Sequence, residues 1–199
     1  MGEKQQRLYL ASSSPRRQFL IRMLRLPYDI VAPSVEEQID FHWSPTEIVR
    51  ELSLSKARAV YDDLSAQQKD GIVIGADTVV VYQGNILGKP RCEQEAFQML
   101  DMLQGNTHAV LSGVACIDVR SGKQLVTHCK TSVTMKPLTE EQMWRYIQTG
   151  EPLDKAGAYG IQGLGALIVD KIEGDYFHVV GLPGSTLAEM LREFGVEVI

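Results

Sequence analysis

Between Ile72 and Val81 the chain reads Ile-Val-Ile-Gly-Ala-Asp-Thr-Val-Val-Val, with a single carboxylate, Asp77, inside an apolar run. β-branched residues on both sides make this the strongest strand signal in the protein. A strand of this kind buries Asp77 wholly or in part. A buried carboxylate is costly unless it is paired, bound to metal or used in chemistry. A strand-end aspartate bonding a neighbouring turn is the plainer alternative. Thr78 points to the opposite face unless the strand ends or bulges there, and Gly75 permits a bulge. The rest of the chain must supply a core around this strand. With 199 residues, 44% hydrophobic and 23% charged, one domain hides roughly 70% of its unfolded surface without metal or disulfide staples. Cys92, Cys116 and Cys129 are too scattered for a disulfide framework or a zinc ligand set.

Helical and strand periodicities alternate along the chain, so the expected fold is a single α/β domain with a sheet flanked by helices. Leu8 to Ala11 reads as a buried strand. Pro15 opens a helix whose apolar face is expected at Phe19, Leu20, Met23 and Leu24, and Asp29 to Val31 follows as a strand. Ser44-Pro45-Thr46-Glu47 and Thr139-Glu140-Glu141-Gln142 are capping boxes, starting helices expected to reach about Tyr61 and Ile147. Gln83-Gly84-Asn85 turns the chain into Ile86-Leu87. A helix is expected over Glu93 to Leu103, and strands over His108 to Asp118 and Gln124 to Met135. A glycine-rich loop from Gly157 to Gly165 precedes a strand expected over Ala166 to Ile172, and a last helix over Ser185 to Phe194.

Ser12-Ser13-Ser14-Pro15-Arg16-Arg17 breaks the pattern of the other helix starts. Ser14 stands at the N-cap, yet Arg17 occupies the place a capping box gives to Glu or Gln. Two cations against the positive end of a helix dipole cost about 0.3–1 kcal/mol each. Exposed amides, hydroxyls and guanidiniums at one helix start suit an anion such as phosphate; a capped surface helix that happens to carry arginine is the other reading. Gly160-Ile161-Gln162-Gly163 lets backbone approach a ligand, and Gln162 carries donors and acceptors suited to the edge of a base, while a plain flexible loop is also open. Lys89, after the Asp77 hairpin, can return to the end of that strand. Lys56 and Arg58 read by default as a solvated helix face, and Glu36-Glu37 as surface acids.

Other chemistries are excluded. Gly84 to Lys89 is one residue short of a phosphate-binding P-loop and Pro90 replaces its Ser/Thr. The glycine-rich loop is not GxGxxG, and neither GxSxG nor HExxH occurs. No apolar run approaches the roughly 20 residues of a membrane span, and the start of the chain does not read as a signal peptide. The chain therefore reads as soluble and intracellular. With 25 acids against 20 bases, it is not built to coat a nucleic-acid polymer, although a net charge says nothing of a local cationic pocket.

Taken together, Leu10 to Arg17, Glu36-Glu37, Lys56-Ala57-Arg58-Ala59, Gly75-Ala76-Asp77-Thr78, Gly88-Lys89-Pro90, Asp154 to Gly163 and Gly174-Asp175-Tyr176 to Pro183 resemble the Maf (septum-formation inhibitor) family. The resemblance runs in order from about Leu8 to Phe194, leaving residues 1–7 as an N-terminal extension and 8–199 as the domain. It implies an inosine-triphosphatase-like fold with a mixed sheet and a cleft between two lobes. It also implies a cytoplasmic, often homodimeric nucleoside triphosphate pyrophosphatase that uses Mg²⁺ or Mn²⁺, of the branch acting on dTTP and UTP. The family's proton acceptor falls on Asp77, and its specificity positions on Arg16, Thr78 and Gln162. Glu37 matches the second carboxylate, which would share the metal with Asp77, though Glu36 stands beside it. Lys89 joins the catalytic set. Ser12, Ser14, Arg17, Lys56 and Lys155 match phosphate-binding positions. A nucleotide-binding regulator of cell division with little catalysis is the alternative that the family name suggests.

Overall fold

The structure, a computed structural model, describes residues 6–35, 40, 42–67 and 69–199. Glu36 and Glu37 lie outside the described residues. The elements are β1 (Leu8–Ala11), α1 (Pro15–Arg22), β2 (Tyr28–Ile30), α2 (Pro45–Ala66), β3 (Ile72–Tyr82), β4 (Asn85–Leu87), α3 (Glu93–Leu103), β5 (Thr107–Asp118), β6 (Gln124–Met135), α4 (Glu140–Ile147), β7 (Val169–Glu173), α5 (Tyr176–Val180) and α6 (Gly184–Arg192). Short 3₁₀ turns fill the stretch between α4 and β7. The strands pair in the order β2-β1-β3-β5-β6-β7, with β4 on β3. β1 runs parallel to both β2 and β3, whereas β3–β4 and β6–β7 are antiparallel. This is an α/β domain with a mixed sheet flanked by helices.

Contacts gather into two compact units. The first comprises Met1–Asp77, Ser112–Cys129 and Gly181–Ile199; the second comprises Thr78–Leu111 and Lys130–Val180. In the first, Ala11, Val73, Ala115 and Ile117 from the strands meet Leu54, Ala57, Val60 and Leu64 of α2. Each such aliphatic side chain larger than alanine contributes about 1.5–3 kcal/mol by leaving water. Gly75 brings this helix close: a Cβ there would sit 2.1 Å from the Ser53 carbonyl oxygen. Gly75 thus serves a helix–strand approach that no larger residue allows. In the second unit, α3 and α4 cover Val80, Val110, Val133 and Met135 with Leu100, Leu103, Met143 and Ile147.

Both capping boxes form, with reciprocal bonds at Ser44–Glu47 and Thr139–Gln142. The Ser44 helix runs on to Ala66, past the expected end at Tyr61. Other boundaries differ for physical reasons. In α1 the buried residues are Leu20 and Ile21, while Phe19 and Met23 are 55% and 52% exposed; a helix this short carries too few apolar residues to set the phase of its face. The expected strand at Ala166 begins instead at Val169, because Gly163–Leu167 winds into a 3₁₀ turn closed by the Ile168 N–H on the Gly165 carbonyl. α5 is a helix that the periodicity did not announce, and Asp175 Oδ1 accepts the Phe177 N–H at its start.

Candidate active site

In the first unit, β1 and β3 share a parallel register from Leu8↔Ile72 to Ala11↔Gly75. Carried two residues further, that offset sets Ser13 level with Asp77. The chain leaving β1 is the Ser12–Arg17 segment, so hydroxyls and arginines follow the carboxyl end of β1, while the carboxylate stands mid-strand on its parallel neighbour β3. Open α/β sheets bind ligands at that end. Ser12 is buried, and its Oγ accepts the Ser14 N–H at 3.1 Å. Ser14 occupies the N-cap of α1 without a side-chain capping bond, and no acid stands in the first turn. Arg17 Nε donates to the Gly181 carbonyl at 2.8 Å, which turns this guanidinium toward the chain between α5 and α6. Arg16 is half-buried.

Asp77 is buried, and Lys56 Nζ from α2 donates to its Oδ1 at 2.5 Å. The two side chains are only 11% and 10% exposed. The partner of the aspartate is therefore a helix lysine and not a turn. Lys56 in turn does not belong to a solvated face, whereas Arg58 does: it is exposed, with Nη2 reaching Gln124 Oε1 at 3.3 Å. Taking two charges out of water costs several kcal/mol per ion, offset only by good geometry. A pair placed so is a candidate for chemistry.

In the second unit, Thr78 is half-buried on β3. β4 pairs with β3 from Tyr82↔Asn85 to Val80↔Leu87, and carrying that register on sets Lys89, which is exposed, level with Thr78. The Gly157 N–H donates to the Gly88 carbonyl at 3.0 Å, so the glycine-rich loop is fastened beside Lys89. Gln162 is half-buried at the start of the Gly163–Leu167 turn. Lys155 turns inward: its Nζ donates to the Glu151 carbonyl and to Asp154 Oδ1, the latter at 2.7 Å.

The residues that sequence reasoning missed surround this same loop. Glu151 Oε1 accepts the Tyr146 hydroxyl at 2.8 Å and the Gly165 N–H at 2.9 Å, and Oε2 accepts the Leu164 N–H at 3.0 Å. Burial pushes the Glu151 carboxyl up, but the Gly165 amide, Tyr146, the Leu164 amide and Lys155 outweigh it and hold it below the usual range. Burial likewise raises the Tyr146 hydroxyl. His108 Nε2 lies 2.6 Å from the Tyr159 hydroxyl, and burial lowers the imidazole to about 4. The sequence offers one signal for Glu151, an acid set between Gly150 and Pro152 just before a run of loop amides.

Residues 7–194 match the family model of the Maf-like protein. The chain belongs to the Maf family. Among curated relatives, a Moorella thermoacetica protein named dTTP/UTP pyrophosphatase is 50% identical over 96% of this Maf chain and 97% of its own length. A Geobacillus sp. protein of the same name is 52% identical over 94% and 98%. A solved structure, a nucleoside-triphosphatase / dITP/XTP pyrophosphatase from Mycobacterium abscessus, aligns over 95% of this chain and 96% of its own with 16% identity. Its TM-score is 0.44. No group of three His, Cys, Asp or Glu side chains able to hold a metal gathers among the described residues of this Maf chain. Of the two carboxylates assigned to a metal, Asp77 lies within them and Glu37 does not.

Proposed function

We propose that this Maf chain hydrolyses nucleoside triphosphates, dTTP and UTP foremost, to the monophosphate and pyrophosphate. The observation that carries the reading is the buried Lys56–Asp77 pair, with Asp77 on β3 two residues past the Ala11↔Gly75 pairing that ends β1 and leads into the Ser12–Arg17 segment. The name shared by relatives at about half identity supports the substrate class. Phosphoryl transfer asks a protein for positioning and charge neutralisation more than covalent chemistry. Asp77 accepts the proton of the attacking water, and Lys56, bonded to Oδ1, holds the carboxylate in one rotamer. The water oxygen bonds to the α-phosphorus, and the electron pair of the broken Pα–O bond leaves on the α–β oxygen, which becomes a terminal oxygen of pyrophosphate. Ser12, Ser14, Arg16 and Arg17 bind phosphate oxygens, with Arg16 also weighing on substrate choice. Lys89 and Lys155 are also assigned to phosphate oxygens, the latter by exchanging its present loop bonds. The Thr78 hydroxyl and the Gln162 amide read the O4/N3 edge of uracil or thymine.

A lone aspartate does not make an all-protein cage, but Mg²⁺ ordinarily takes one or two carboxylates and fills its shell with water and phosphate. Asp77, whose Oδ1 accepts from Lys56, fits that mode as one such carboxylate, and Glu37 is the second ligand that the family resemblance assigns. A divalent cation so held, Mg²⁺ or Mn²⁺, supplies charge neutralisation on the phosphate oxygens. No helix among the described residues is long and apolar enough to cross a membrane; the reading places the protein in the cytoplasm, as a homodimer. The test is pyrophosphate release by the purified chain from dTTP, UTP, CTP, GTP and 7-methyl-GTP, with and without Mg²⁺. Metal-dependent release favouring dTTP and UTP is the expected result. Nucleotide binding without turnover across the panel would overturn it in favour of a division regulator.

A further inference from the structure

Gln162 lies between Gly160 and Gly163, and the backbone on both sides of it is tied to one carboxylate. On the near side the Gly160 N–H donates to the Tyr146 hydroxyl at 3.1 Å, and that hydroxyl donates to Glu151 Oε1. On the far side the Leu164 and Gly165 N–H groups donate to Glu151 Oε2 and Oε1. Between them Gly163 takes φ +63, and a Cβ there would lie 2.5 Å from Glu151 Oε2. The chain thus closes onto the carboxylate where only glycine fits. We infer that Glu151, acting with Tyr146, is the positioning residue that sets base selectivity by fixing the backbone from which Gln162 projects. This rests on the reading that Gln162 contacts the base. An amide discriminates between base edges only if it is held where a mismatched edge leaves hydrogen bonds unmade. A loop without the anchor would let Gln162 follow either edge.

The test compares kcat/KM for dTTP and CTP in the full chain. Glu151→Gln keeps the size of the side chain but turns an NH₂ toward one of the loop N–H donors, breaking one tie. The dTTP-to-CTP ratio should fall about tenfold, mainly through a higher KM for dTTP. In a Gln162→Ala background the same change should lower the ratio no further, the mark of residues acting as a unit. Tyr146→Phe keeps the ring and loses the link to Gly160; it should give a smaller fall, and it carries the test should Glu151→Gln fail to fold. Hydrogen exchange at the Leu164 and Gly165 amides should quicken in Glu151→Gln. A purely structural role would slow all nucleotides alike and leave the ratio in place. If Gln162→Ala flattens the ratio while Glu151→Gln and Tyr146→Phe leave it unmoved, the inference is overturned alone. If Gln162→Ala leaves the ratio unchanged, the base reading falls and the inference with it.

Discussion

Asp77 is a buried carboxylate and Glu151 a half-buried one, and they are satisfied in opposite ways. Glu151 is filled by fixed donors, two backbone amides and a tyrosine hydroxyl, all from one loop and the helix before it. Asp77 sits on a rigid strand with a lysine on one oxygen, and that lysine reaches it along a flexible stem from α2. A carboxylate saturated by amides resists protonation and anchors a loop. A carboxylate held by a movable lysine can take a proton or a ligand. Scaffold and chemistry are thus separable by who the donors are.

The largest effect should follow from breaking the Asp77 side of this contrast. Asp77→Asn keeps the shape and an acceptor oxygen but removes the base. Turnover should fall by about 10²–10⁴, the range ordinarily lost with a positioned general base. Nucleotide affinity, read by titration with dTTP, should stay within a few-fold of the parent. Near-native pyrophosphate release by this variant would remove Asp77 from the mechanism.

The second effect is on stability and tests whether the loop region is the acid-sensitive one. His108 supports the loop through Tyr159, and burial lowers its imidazole from 6.5 to about 4. The folded state therefore binds its proton later than the unfolded chain does. The stability contributed is fully present above pH 6.5 and is lost as pH falls from there through about 4, ~3 kcal/mol in all. Chemical denaturation at a series of pH values should show that slope, and His108→Gln should flatten it. Glu151 adds to the same trend, since its lowered carboxyl stabilises above the ordinary glutamate range and loses that contribution as pH falls through its folded value.

What was legible in the sequence follows the same division. The capped helix at Thr139, the start of the one at Ser44, and the strands at Leu8, Ile72 and Gln124 came out near their observed limits because their signals are local. Asp77 was legible as a problem, a charge in an apolar run, but its partner was not: Lys56 looked like any lysine on a helix until α2 was laid on β3. The crowding at Gly75 was not legible for the same reason, since the Ser53 carbonyl that meets it lies on that distant helix. Glu151 was missed because its donors are mostly backbone amides, which every residue but proline carries. A side-chain motif can mark a pair of charges, but it leaves no trace of a carboxylate whose partners are peptide groups.

The smallest effect is the sharpest test of the contrast. If the Lys56–Asp77 pair exists for chemistry, the fold should not need it. Removing Lys56 alone by Lys56→Met strands a buried carboxylate and should cost several kcal/mol, about 3 by comparison with other buried pairs. Replacing both partners, Lys56→Met with Asp77→Leu, removes the desolvation cost of two ions along with their attraction. Stability should return to within about 1 kcal/mol of the parent or rise above it, as apolar replacements of buried ion pairs commonly do, while pyrophosphate release stays lost. Equilibrium urea denaturation of the parent, single and double variants reads this directly. A double variant as unstable as Lys56→Met alone would mean that the pair holds the strand and helix together, and the separation between a carboxylate for chemistry and a carboxylate for structure would fail at its first member.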